Sequence, residues 1–229
     1  MTIISIRQPG YLPYMGFFKK IQSSDIFVFL DDVQYTRGEW ENRNKICTSE
    51  GSMWLTVPVT HELGEKLNEV RIDNQQSWCK KHRTAIKLNY GKAPFFNKFW
   101  KHIDTILSKK WIKLIDLNMA LIHYFISELG IKTKLTKSSD LKIEFSGSKR
   151  LIEICKNLNA DVYLSGIHGT NYLDEKLFED VGIEVVYENF KHPSYNQVYK
   201  KFIPNMSIID LLFNQGDKAR EIIANSKNF

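Results

Sequence analysis

The chain has 229 residues, of which 43% are hydrophobic and 25% charged, with only 12 Gly and 6 Pro. Those proportions exclude a collagenous, low-complexity or disordered chain and allow a sizeable core. The net charge of +6 favours an anionic partner. The cations are scattered, however, the densest groups being Lys80-Lys81-His82-Arg83, Lys109-Lys110 and Lys200-Lys201, so nucleic acid is not an expected partner.

In chain order, Ile3–Arg7 reads as a strand. Gln8-Pro9-Gly10-Tyr11-Leu12-Pro13 reads as a rigid turn, because each proline fixes φ and removes a donor. Tyr14–Gln22 has helical spacing, with Phe17, Phe18 and Ile21 on one face. Asp25–Leu30 is a continuous apolar run and is expected to be the most buried strand of a parallel sheet. These three elements make a right-handed βαβ unit. Asn44–Thr48 and Met53–Val57 flank Ser49-Glu50-Gly51-Ser52, a hairpin signal, and Asn68–Ile72 reads as a further short strand.

A helical insert is expected over about residues 78–130, divided at Tyr90-Gly91-Lys92-Ala93-Pro94 and at Ser108-Lys109-Lys110 and stopped by Gly130. Strands Thr133–Thr136, Asp161–Leu164 and Ile183–Tyr187 then alternate with helices Ser148–Leu158 and Glu175–Val181, and helices close the chain. The expected fold is α/β: one domain over residues 1–229, built as three layers around a parallel, Rossmann-like sheet. No apolar run reaches the roughly 18 residues of a membrane span. Cys47, Cys79 and Cys155 are widely spaced, odd in number and without a leader, which points to a reducing, cytoplasmic setting with no zinc pattern.

Chemistry-bearing residues gather at the carboxyl ends of the expected strands, where open α/β sheets bind ligands. Gln8 and Tyr11 lie in the first turn, which opens a helix whose free N–H groups suit an anion. Asp31 and Asp32 follow the second strand. Such a carboxylate pair can hold hydroxyls, repel until one becomes a base, or take a metal, although no spacing argues for a metal or a cofactor. Arg43 in Trp40-Glu41-Asn42-Arg43-Asn44 suits a phosphate or carboxylate fork. Tyr35 and Trp54 are the aromatic residues expected to line the same cleft. His82 is a lone histidine on a helix. Tyr163-Leu164-Ser165-Gly166 leads into a Gly/Ser-rich loop that lacks the GK[ST] end of a P-loop, and Tyr195 and Gln197 precede the last helices. Gln8, Tyr11, Asp31, Asp32, Arg43 and Ser165 are expected to converge on one cleft.

The first turn distantly resembles the nucleotidyltransferase superfamily, in which HxGH opens a helix. Tyr14-Met15-Gly16-Phe17 keeps the glycine and lacks both histidines, which argues against nucleotidyl transfer. A second resemblance spans about residues 3–216. Gln8-Pro9, Tyr11, Pro13, Gly16-Phe17, Asp25, Leu30-Asp31-Asp32-Val33-Gln34-Tyr35, Asn42-Arg43-Asn44 and Trp54-Leu55-Thr56-Val57-Pro58 resemble the WbqC-like family. So do Lys81-His82, Tyr90, Ala93-Pro94-Phe95-Phe96, Tyr163-Leu164-Ser165-Gly166, Tyr195, Gln197, Ile209-Asp210-Leu211-Leu212-Phe213-Asn214 and Gly216. Arg7 stands where members often carry histidine, and His168 lies in a loop often richer in Pro and Gly.

The resemblance implies work on a nucleotide-linked amino sugar in surface-polysaccharide biosynthesis, by N-acyl or aminoacyl (glycyl-type) transfer to the sugar amine. The partners would be that sugar nucleotide and an activated acyl donor, an acidic carrier protein being one way to deliver it. His82, then Asp32, are the expected bases. Gln8, Tyr11, Asp31, Tyr35, Arg43, Trp54, Tyr163, Ser165, Gly166, Tyr195 and Gln197 are the expected binding residues. A nucleotidyltransferase-like enzyme and a non-catalytic module binding a sugar nucleotide or a carrier protein are the alternatives.

Overall fold

In the computed structural model of the chain, residues 1–227 are described. The opening unit is β1 (Ile3–Arg7), α1 (Met15–Gln22) and β2 (Ile26–Phe29). A hairpin follows, β3 (Arg43–Thr48) with β4 (Gly51–Thr56), then a two-residue ladder of β5 (Val59–Thr60) with β6 (Arg71–Ile72). The insert supplies α2 (Trp78–Tyr90), α3 (Phe96–Ser108) and α4 (Leu114–Leu129). The α/β alternation resumes with β7 (Lys134–Lys137), α5 (Gly147–Asn157), β8 (Val162–Gly166), α6 (Glu175–Glu179) and β9 (Glu184–Glu188), and the chain ends in α7 (Ile208–Gln215) and α8 (Lys218–Asn225).

The main sheet has five strands in the order β7-β2-β1-β8-β9, every neighbouring pair parallel. Strand order reverses between β1 and β8, which is the Rossmann-like arrangement, and the crevice for ligands lies at the carboxyl ends on either side of that reversal. Strand alternation separates two cores. Ile4, Ile6, Ile26 and Val28 face Leu151, Ile152, Ile154 and Phe178 of α5 and α6. Phe27 and Phe29 face the other way, into a larger core with Phe17, Phe18 and Ile21 of α1, the insert helices and α7. All four residues of β2 are buried, as its unbroken apolar run predicts.

Helix α1 lies between the sheet and the insert. Phe17 meets Phe27 edge-on at 5.5 Å and Phe18 meets Phe125 of α4 at 6.0 Å. Each such buried ring contributes on the order of 2 kcal/mol. Gly130 ends α4 in the left-handed region, at φ 66, where a side chain is disfavoured. The strand expected over Asn68–Ile72 shrinks to Arg71–Ile72, because the Glu69 N–H turns back to the Lys66 carbonyl at 2.9 Å. Residues 189–207, between β9 and α7, form a long irregular segment. Among the described residues no helix is long and apolar enough to cross a membrane.

Candidate functional site

The turn after β1 is held open and rigid by its neighbours. Leu12 is fully buried at φ 44, a strained conformation for a branched residue. The Asn44 side-chain amide donates to the carbonyls of Tyr11 and Leu12 at 3.3 and 2.8 Å. Segment 40–42 lies directly on this turn. The Tyr11 N–H donates to the Trp40 carbonyl at 3.1 Å, and Asn118 of α4 donates to the carbonyls of Pro9 and Glu41 at 3.0 and 2.7 Å. A Cβ on Gly10 would stand 2.9 Å from the Trp40 oxygen, so only glycine admits this approach.

The six residues expected around one cleft divide among separate environments. Asp31 and Asp32 bind the end of β7 and α5. Asp31 accepts from the Ser139 N–H at 3.0 Å and the Ser139 hydroxyl at 2.7 Å, and Asp32 accepts from the Ser138 hydroxyl and pairs with Arg150 at 2.6 Å. Burial pushes the Asp32 carboxyl up, but the hydrogen bonds from Ser138 and Arg150 and the charge of Arg150 outweigh it and hold it below its ordinary value. So paired, Asp32 is a weak base.

Tyr11 and His82 lie beneath the β3–β4 hairpin. His82 Nε2 faces the Thr56 carbonyl at 3.1 Å and therefore carries the proton, while Nδ1 accepts from the Tyr11 hydroxyl at 2.9 Å. Burial pulls the imidazole down to about 4, with the Thr56 contact pulling back. Both nitrogens are occupied, which leaves no lone pair to take a proton from a substrate.

Tyr163 stacks on Phe178 at 5.4 Å inside the α5–α6 core, and Ser165 is fully buried with its hydroxyl turned to the Gly166 carbonyl. Beside Gly166 lies a buried ion pair, Lys20 to Glu188 at 3.1 Å. Burial draws the Lys20 amine down to about 8; Glu188 opposes that shift and Arg7 adds to it. Tyr195 and Gln197 turn their polar heads inward to Asp210 of α7, each at 2.8 Å, and Tyr90 of α2 donates to the same carboxylate at 2.9 Å. Outside this clasp, Tyr195 and Gln197 line a shallow open cleft with Asn196, Tyr199 and Phe202.

One region is polar, buried and incompletely bonded. Among the described residues eight buried side-chain polar atoms have no partner, and five belong to Tyr35, Glu41, Asn42, Arg43 and Asn118, gathered where segment 34–44 covers the β1 turn. Buried polar atoms are normally paired, so this concentration makes the region the candidate binding site. Glu41 is 6% exposed and its Oε2 is free. Burial pushes its carboxyl up; its own N–H, Glu39 and Arg7 contribute in turn, Arg7 pulling it down. Burial raises the Tyr35 hydroxyl to about 12; Glu41 raises it too, and Arg37 and Arg43 act against. Arg43 donates to the Gly38 carbonyl and stacks over the Trp54 ring at 4.4 Å. Arg7, at the end of β1, spreads its guanidinium over the rings of Tyr14 and Phe17 at 5.7 and 6.0 Å. Half-buried Gln8 adjoins it at the same edge.

Of the sequence-expected residues, then, Tyr35, Arg43 and Trp54 lie together, with Gln8 at the adjoining edge. Tyr11, His82, Asp31, Asp32, Tyr163, Ser165, Tyr195 and Gln197 are engaged elsewhere in hydrogen bonds or core contacts. Glu41 is the residue that sequence reasoning passed over, since a glutamate between a tryptophan and Asn-Arg-Asn looks like ordinary surface. No group of three or more His, Cys, Asp or Glu side chains among the described residues is placed to hold a metal ion.

A family model described as the WbqC-like protein family matches residues 8–222. The chain is also similar to the uncharacterized protein Rv1507c of Mycobacterium tuberculosis, 35% identical over 227 residues that cover 97% of this chain and 98% of that protein.

Proposed function

We infer a function from one premise: the chain belongs to the WbqC-like protein family. On that premise we propose N-acyl or aminoacyl transfer to the amine of a nucleotide-linked amino sugar, in the cytoplasmic stage of surface-polysaccharide assembly. The observation that carries the reading is the buried Glu41 carboxyl with one free oxygen, set among Arg7, Tyr35 and Arg43 at the carboxyl edge of a Rossmann-like sheet.

In this reading the sugar enters as an ammonium ion and Glu41 takes one proton from it. The neutral amine then attacks the donor carbonyl, a C–N bond forms, and the donor's leaving group departs with the acyl–donor bond pair and takes up the second proton lost from nitrogen. Glu41 is suited to the step because burial moves its proton affinity toward that of the ammonium, which makes the transfer less uphill. Tyr35, kept protonated by its raised pKa, can donate to the developing oxyanion or to a sugar hydroxyl. Arg43 and Arg7 supply charge for the diphosphate. The base role passes from His82 and Asp32 to Glu41 because both nitrogens of His82 and the Asp32 carboxylate are already paired, whereas the buried Glu41 keeps an unpaired oxygen and, unlike Glu188, has no lysine bonded to it.

Glu41→Gln tests the assignment. The purified protein is given an amino-sugar nucleotide and a panel of acyl donors, and the amide is followed by mass spectrometry. Turnover should fall by about 10²–10⁴-fold with sugar-nucleotide binding retained. Undiminished turnover in the variant refutes the role of Glu41. A wild-type protein that binds the nucleotide sugar and acylates nothing favours the non-catalytic module.

A further inference from the structure

Two tryptophans stand in the open beside the buried cluster. Trp40 is 45% exposed and Trp54 is 40% exposed, and their rings lie 5.2 Å apart at an angle of 41°. Trp54 projects from β4 with Lys45 directly opposite on β3, and the Lys45 ammonium sits 4.8 Å from the centre of its ring. The Arg43 guanidinium covers the same ring at 4.4 Å. Core packing does not explain this arrangement, since soluble proteins seldom leave a pair of large rings exposed without a use for them. Two cations on one indole form a surface that attracts negative charge and offers a flat face for stacking.

Trp40 is the residue before Glu41, and Arg43 is shared, stacking on Trp54 while its own Nε is one of the unpaired buried atoms. The platform and the buried carboxyl are therefore two ends of one site. We propose that Trp40 and Trp54 form the subsite for the nucleobase of a nucleoside diphosphate, with Lys45 and Arg43 released from the indole to meet the phosphates. This assignment rests on the reading that the ligand is nucleotide-linked. The charge favours a nucleotide over an uncharged sugar, which would also stack on tryptophan but would leave both cations without a partner. It also locates the base on the hairpin rather than at the β8 loop, where Tyr163 and Ser165 are turned into the core.

The test uses the full chain and isothermal titration with UDP, TDP, GDP, CDP and ADP, with inorganic pyrophosphate and a short single-stranded oligonucleotide as comparisons. Trp54→Leu and Trp40→Leu should each weaken the best nucleoside diphosphate by about 10- to 100-fold and leave pyrophosphate binding unchanged. Both positions are exposed, so unchanged thermal melts will show that the variants fold. Nucleotide binding that survives both substitutions overturns the subsite and leaves the proposed function standing. A wild-type protein that binds none of the nucleotides overturns both. Preference for the oligonucleotide, with affinity falling steeply in salt, overturns the assignment in favour of a nucleic-acid surface.

Discussion

Replacing His82 by Gln separates a structural histidine from a catalytic one. The glutamine amide can donate to the Thr56 carbonyl and its oxygen can accept from Tyr11, so both hydrogen bonds of the imidazole have a counterpart. What disappears is the titration. The imidazole is depressed to about 4 in the fold, against an ordinary 6.5 in the unfolded chain. Below its ordinary value the unfolded chain binds the proton and the native protein does not, so its contribution to stability is complete above that pH and is lost as pH falls toward 4. Linkage sets the loss at about 2 kcal/mol by about pH 5 and about 3 kcal/mol by about pH 4. The assay is urea unfolding followed by tryptophan fluorescence at a series of pH values, in wild type and variant, with free energies taken from the midpoints. The variant should lose stability in acid less steeply than wild type by that amount, and catalytic turnover should survive the change. Identical pH slopes in the two proteins refute the buried neutral imidazole.

Asp210→Asn places an amide N–H₂ where three donors now converge on a carboxylate, so at least one donor is left unsatisfied. Stability should fall by about 1–3 kcal/mol, and limited proteolysis should cut within residues 193–202 before the rest of the chain; an unchanged digestion pattern refutes the clasp. Gly10→Ala forces a methyl against the Trp40 carbonyl and should cost about 1–3 kcal/mol, seen in a thermal melt, while reducing amide formation through displacement of Glu41. Wild-type stability together with wild-type turnover would show that the turn and segment 40–42 move apart freely.

The sheet was readable because strand chemistry is local. The unbroken apolar run at Ile26–Phe29 and the short apolar run broken by polar residues at Ile3–Arg7 depend only on neighbouring residues, and the proline-rich turn fixes where β1 ends. The site was less readable because burial and pairing are set at long range. Nothing near Asp32 in sequence announces Arg150, and nothing near His82 announces Tyr11 or the Thr56 carbonyl, yet those partners decide whether either side chain can accept a proton. Conversely, Glu41 is unremarkable by type, and its burial depends on contacts from afar, among them Asn118, which donates to its backbone carbonyl. Several motif residues belong to one network: Tyr90, Tyr195, Gln197 and Asp210 meet at a single carboxylate and join the insert to the C-terminal helices.

The central position of β1 has a consequence for synthesis. This strand gains β2 as a neighbour soon after it is made, since Ile4 pairs with Ile26. Its other edge waits for Val162 and Tyr163, so at ordinary elongation rates the row of unpaired N–H and C=O groups stays open for on the order of 10 s. Through that interval the nascent chain carries a half-built sheet edge of Ile and Phe residues, the kind of surface on which strands of neighbouring chains add. The α2–α4 insert is translated inside the same window, and its apolar helices arrive in time to cover the Phe27–Phe29 face while the β8 edge is still vacant. The finished sheet therefore depends on a strand edge that stays vacant until β8 is made.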